Sequence, residues 1–147
     1  MPTDSDRSID ERARALIEHE NTLVLATSAD DGIPIATPLF YYPDAEGSLY
    51  WLSSPDSRHS RNLNVRDRVA VAIFVPATDW TEIRGVQMEG TAGAVEDPIL
   101  RASVLVKYRQ RLRLPPALDE AIAKSTLYVF RPAWWRFVDS LQPQAGQ

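Results

Sequence analysis

Leu49-Tyr50-Trp51-Leu52-Ser53-Ser54-Pro55-Asp56-Ser57-Arg58-His59-Ser60-Arg61-Asn62-Leu63 is the stretch that decides the fold. Its first four residues are apolar and aromatic and predict a buried strand, and Pro55-Asp56-Ser57 is turn and helix-cap chemistry in front of a short helix. The opening turn of that helix carries Arg58, His59 and Arg61. Cations at a helix N-terminus are opposed by the exposed amides and the helix dipole, by a few tenths of a kcal/mol each. An anion resolves the conflict: free N–H groups, serine hydroxyls, two guanidinium groups and an imidazole on one turn form a candidate phosphate cradle. The competing reading is a short surface helix with solvated arginines.

Upstream, Ala13, Leu16 and Ile17 make one apolar stripe on a helix from Ile9 to His19, preceded by a loose, polar Met1 to Ser8. His19 sits at the C-terminal end of that helix, where the dipole gives it a structural role. Leu23 to Thr27 reads as a strand, Ala29-Asp30-Asp31-Gly32 as a hairpin turn, and Ile33 to Tyr42 as a second strand interrupted by Pro34 and Pro38. Proline cannot donate to a ladder, so this strand is expected at an edge or with a bulge near Thr37-Pro38. Either way the backbone of Thr37, Pro38 and Leu39 is left partly unpaired, and a planar heterocycle with donors and acceptors on its edge could use those groups.

Downstream, Val69 to Val75 is the strongest strand signal in the chain. Trp80 to Val95 is expected to form a long, coiled strand, with Gly85, Gly90 and Gly93 at bends or close approaches and Gln87 opposite the apolar pair Val86 and Met88. Asp97-Pro98 opens a helix whose Lys107, Arg109, Arg111 and Arg113 are spread around its surface and expected to be solvated. A short helix over Ala117 to Lys124 follows. The strand from Thr126 is expected to break at Pro132 and resume from Trp134 to Val138, before a frayed 142–147. Six or so mostly antiparallel strands with short turns predict a mainly β fold with flanking helices, closed or nearly closed into a barrel.

The chain has 147 residues, room for one domain with a real core. A net charge of −4 disfavours broad nucleic-acid binding. Cysteine is absent and the only histidines are His19 and His59, which excludes disulfides, thiolate sites and the common zinc sites. No apolar run approaches the ~20 residues of a membrane span and the start lacks a signal peptide's pattern, so a cytoplasmic protein with no membrane partner is expected.

Ser57-Arg58-His59-Ser60-Arg61-Asn62-Leu63 matches, at its Ser, Arg and Leu, the Ser-Arg-Lys-Gly-x-x-Leu signature of pyridoxamine 5'-phosphate oxidases. Leu25-Ala26-Thr27, Thr37-Pro38, Leu49 to Leu52 and Val86 to Ala92 stand in the same order as in that family. The chain thus resembles the FMN-binding split barrels. The resemblance implies a six-stranded antiparallel split barrel that forms a homodimer, with FMN at each of two subunit interfaces and a small-molecule substrate or electron donor. By motif position, Arg58 would hold the phosphate and His59 would replace the family's lysine. Ser53, Ser54 and Ser57 would line the ribityl chain and phosphate, with Asn62 near the same turn. Thr37, Pro38 and Leu39 would meet the ring edge, and Gln87 would approach from the partner subunit. Tyr41, Trp80 and Trp134 are candidates for an aromatic wall. A deazaflavin or haem in place of FMN, and a carrier or sensor in place of an enzyme, are the alternatives. The C-terminal Arg131 to Phe137 lacks the oxidases' Glu-Phe-Trp-x-Gly ending, which leaves the substrate open.

Overall fold

The computed structural model describes residues 4–140. In chain order it contains helix α1 (Asp4–His19) and strands β1 (Thr22–Thr27), β2 (Ile35–Phe40), β3 (Tyr42–Pro43) and β4 (Leu49–Ser53). Helix α2 (Arg58–Val65) and strands β5 (Arg68–Phe74) and β6 (Arg84–Ala94) follow. Helices α3 (Pro98–Leu112) and α4 (Asp119–Lys124) and strand β7 (Thr126–Asp139) complete the chain. Helix α1 begins at Asp4, earlier than the apolar stripe indicates. Residues 1–3 and 141–147, part of the expected loose termini, lie outside the described residues.

The strands form one curled antiparallel sheet in the order β2-β1-β5-β6-β7-β4-β3, a split barrel. There are seven strands instead of six, because the chain leaves β2 at Tyr41 and pairs Tyr42 and Pro43 separately with β4. Leu23, Leu25, Val71, Ile73, Val86, Met88, Trp51 and Phe130 fill the concave side, and Ala13 and Leu16 of α1 join the same core. Strand β2 lies at the sheet edge, as its prolines require; its register with β1 is unbroken, so the bulge is absent.

Strand β7 runs through Pro132, contrary to the break read from the sequence. Gly90 pairs with Pro132 and Glu89 with Trp134, so Ala133 is the extra residue of a bulge. The register shift accommodates the missing N–H locally. The partner position must be glycine: a Cβ on Gly90 would lie 2.1 Å from the Arg131 carbonyl oxygen.

Arg111 is not solvated. From the last turn of α3 its guanidinium donates to the carbonyls of Tyr41 (3.1 Å), Ile17 (3.2 Å) and Glu20, and lies over the Tyr41 ring. Two of these carbonyls end α1, where a cation is favoured. Arg109 pairs with Asp119 at 2.7 Å. Tyr41 is fully buried and its hydroxyl donates to the Ile17 carbonyl at 2.5 Å; burial pushes its phenol well above the usual range, with Arg111 acting against it. Tyr41 therefore belongs to the core.

Candidate functional site

Ser57 caps α2: extended in backbone, it accepts from the Ser60 amide through Oγ at 3.3 Å. The amides of Arg58 and His59 are the first of the helix and have no intrahelical acceptor by its geometry. No acidic residue stands in this first turn. The Ser57 hydroxyl also donates to the Ser60 hydroxyl at 2.7 Å, and His59 Nε2 lies 2.8 Å from Ser53 Oγ and 3.3 Å from Ser57 Oγ. Ser54 Oγ accepts from the Asp56 amide at 3.2 Å. Ser53, Ser54, Ser57 and His59 thus converge where β4 ends and α2 begins.

Arg58 is half-exposed, and its nearest charged partner is Asp31 of the β1–β2 turn at 3.9 Å. That distance leaves the guanidinium's donors open to an anion. Partial burial lowers the His59 pKa below the ordinary histidine value, so at neutral pH the ring is neutral, with Nε2 hydrogen-bonded within the serine cluster. His19, exposed at the end of α1, makes a 2.7 Å contact with Glu20 and takes no part.

Asn62 faces the sheet. It is buried, and its Nδ2 donates to Thr27 Oγ1 at 3.1 Å, which fixes α2 to the end of β1. The Thr37-Pro38-Leu39 backbone lies on β2, whose outer side has no strand neighbour among the described residues. The outer face of the sheet carries Pro38, Val24, Ala72, Gln87 and Arg136 in one cross-strand row. Three strand spacings, about 14 Å, therefore separate Pro38 from Gln87. The chain by itself does not bring these two predicted residues together.

Gln87 borders a hollow of about 400 Å³ on that outer face, floored by Val24, Ala26, Ala70 and Ala72 and walled by Trp134, Glu89 and Arg136. Phe40, Phe74 and Trp134 are exposed on the same face, and Trp80 is exposed in a 3-10 turn before β6. A second hollow of similar volume, between α1 and the Pro43–Gly47 turn, contains none of the residues marked from the sequence. Sequence reading missed Ser60, Asp31 and Arg136. Only Ser60 had a local signal, its position three residues after the cap.

No helix among the described residues is long and apolar enough to cross a membrane, and no cluster of three His, Asp or Glu side chains is placed to hold a metal.

Comparisons with solved structures agree on the fold. A conserved hypothetical protein of Mycobacterium tuberculosis superposes with a TM-score of 0.76 at 24% identity, over 100% of this chain and 92% of that one. The haem storage protein of Vibrio cholerae superposes with a TM-score of 0.73 at 20% identity, over 89% of this chain and 94% of its own. In sequence, a pyridoxine/pyridoxamine 5'-phosphate oxidase of Rubrobacter xylanophilus is 32% identical over 92 residues, 62% of this chain but only 40% of that enzyme's length. The family model for pyridoxamine 5'-phosphate oxidase matches residues 9–139, nearly the whole described structure, and the chain belongs to that family.

Proposed function

We propose that this chain is an FMN-binding protein that works as a homodimer, and that it is a flavin-dependent oxidoreductase acting on a small-molecule substrate or electron donor. The observation that carries this reading is the start of α2: a serine-capped helix with free amides, no acid in its first turn, and Arg58 held, among the described residues, only by a long contact to Asp31. That donor set fits a phosphate monoester. Arg58 would neutralise the phosphate, Ser53, Ser54 and Ser57 would hydrogen-bond it and the ribityl hydroxyls, and His59 would fix those serines. The open side of β2 at Thr37 to Leu39 would meet the donors and acceptors of the ring. Asn62 acts indirectly, by holding α2 on β1.

The homodimer is supported by the outer face. It is apolar and small in its centre, with Phe40 and Phe74 exposed by 58% and 56%, an area that a second copy would cover. The distance between Pro38 and Gln87 on one subunit supports the same reading, since Gln87 can then serve only a ring held by the other. Bound FMN supplies hydride and electron transfer, and the protein supplies orientation, polarity and exclusion of water.

A haem alternative has the Vibrio cholerae fold likeness behind it, but His59 Nε2 is held by Ser53 and Ser57 and His19 is exposed against Glu20 at the end of α1. A visible spectrum of the purified protein, with mass spectrometry of what denaturation releases, separates the readings. Flavin bands and released FMN are expected. A Soret band would replace flavin by haem, and a colourless protein that takes up no added FMN would overturn the flavin reading. Turnover of a nicotinamide donor with an added acceptor would distinguish the enzyme from a carrier.

A further inference from the structure

The hollow between α1 and the Pro43–Gly47 turn, about 400 Å³ in volume, shares no residue with the start of α2 or the edge of β2, and the flavin reading leaves it unused. It exists because β4 is short. The ladder between β4 and β7 runs only from Ser53 and Thr126 to Leu49 and Phe130, so from Arg131 onward β6 is the one strand neighbour of β7 among the described residues. Helix α1 and the turn border the gap where β4 stops. Its deepest part reaches Val86 and Met88 of the core, and Ile17 and Trp135, both partly buried, are its apolar walls. A hollow of that size takes a small organic molecule.

The turn side is set in advance. Asp44 Oδ1 accepts from the amides of Glu46 and Ser48, each at 2.9 Å, and Oδ2 accepts from the Tyr50 hydroxyl at 3.3 Å. Gly47 takes the positive φ of 91° that closes the turn. The charged side chains around the hollow are Arg14 and Glu18 from α1, and Asp44 and Glu46 from the turn. Asp44 is occupied in holding the turn. Glu18 and Glu46, one on each side, are exposed and form no ion pair among the described residues, with Arg14 or with any other cation. Three carboxylates against one guanidinium leave the mouth negative. These acids are not grouped to hold a bare metal ion. Unpaired carboxylates beside an indole and an apolar floor complement a cation that carries an apolar body.

We propose that this hollow is a second ligand site, for a small organic cation whose apolar, aromatic body lies against Trp135, Ile17 and Met88 while its ammonium group stays at the mouth between Glu18 and Glu46. The apolar body supplies most of the affinity. The exposed acids supply selectivity for positive charge, and salt weakens their part. The site is independent of the flavin reading, because none of its lining residues belongs to the phosphate cradle.

The test is calorimetric titration of the full-length protein with phenethylammonium, with the neutral phenethyl alcohol and with the anionic hydrocinnamate, at neutral pH and low salt. The cation is expected to bind about fivefold more tightly than the alcohol, and the anion most weakly, in keeping with two partly screened charges. Glu18→Gln combined with Glu46→Gln, both at exposed positions, should leave alcohol binding unchanged and remove the advantage of the cation. In the nitrogen–proton NMR spectrum the Trp135 indole signal should shift with the bound cation, while those of the exposed Trp80 and Trp134 stay in place. Equal affinity for the cation and the alcohol in the wild-type protein overturns the proposal. So does a preference for the cation that survives the double substitution, a shift confined to Trp80 or Trp134, or no binding of any of the three at millimolar concentration.

Discussion

Two arginines stand at helix ends in this protein, and their settings are opposite. Arg111 lies at the carboxyl end of α1, where three carbonyls of the chain accept from it and the Tyr41 ring lies beneath it. Arg58 lies at the amino end of α2, where the dipole opposes it and its only ionic contact among the described residues is 3.9 Å long. The first cation completes the fold. The second makes the fold slightly worse, and such a residue is explained by a ligand that the fold does not contain.

The comparison is broken most directly by removing each arginine in turn. Arg111→Ala leaves carbonyls of Ile17, Glu20 and Tyr41 without their charged donor, and should destabilise the protein by about 3 kcal/mol, read by urea denaturation. The fraction that remains folded should bind FMN as before. Arg58→Ala should do the reverse: stability within about 0.5 kcal/mol of wild type, and FMN affinity lower by about 100-fold, as for loss of a charged hydrogen-bonding pair. Equal losses of stability in the two variants would erase the distinction.

Two smaller effects sharpen it. Asp31→Asn removes the carboxylate that competes with an anion for Arg58. Because both side chains are about half-exposed, the gain in FMN affinity should be only a few-fold, measured by fluorescence titration at low salt. His59 should be visible in the pH dependence of stability. Its folded pKa is lowered by burial, so the unfolded chain takes up the proton first as pH falls. The stability associated with its neutral form is complete above the unfolded value of 6.5 and declines as pH falls from there toward the folded value. In His59→Gln that part of the pH profile should flatten. An unchanged slope would show that burial does not hold the imidazole neutral.

The sequence made the start of α2 legible because its signals are local. Pro55-Asp56-Ser57 sets the cap within three residues, and the conflict between Arg58 and the helix start needs no knowledge of the rest of the chain. The edge position of β2 was legible for the same kind of reason, since Pro34 and Pro38 restrict a strand wherever it lies. Pro132 was misread because what accommodates it is a bulge against Gly90, about forty residues earlier on another strand. Arg111 was misread because the carbonyls it serves lie 70 to 94 residues away. Helical spacing describes only its own helix. The link between Gln87 and Arg136 was invisible for want of the β6–β7 register, although both residues were in plain view.

The central claim is that the start of α2 exists to hold a phosphate. The direct measurement is the dissociation constant of the wild-type protein for FMN beside that for riboflavin, the same ring and ribityl chain without the phosphate. Binding of FMN at least 100-fold tighter than riboflavin, with the difference abolished in Arg58→Ala, is the predicted result. Equal affinities for the two in the wild-type protein would contradict the account and return Arg58 to the solvent.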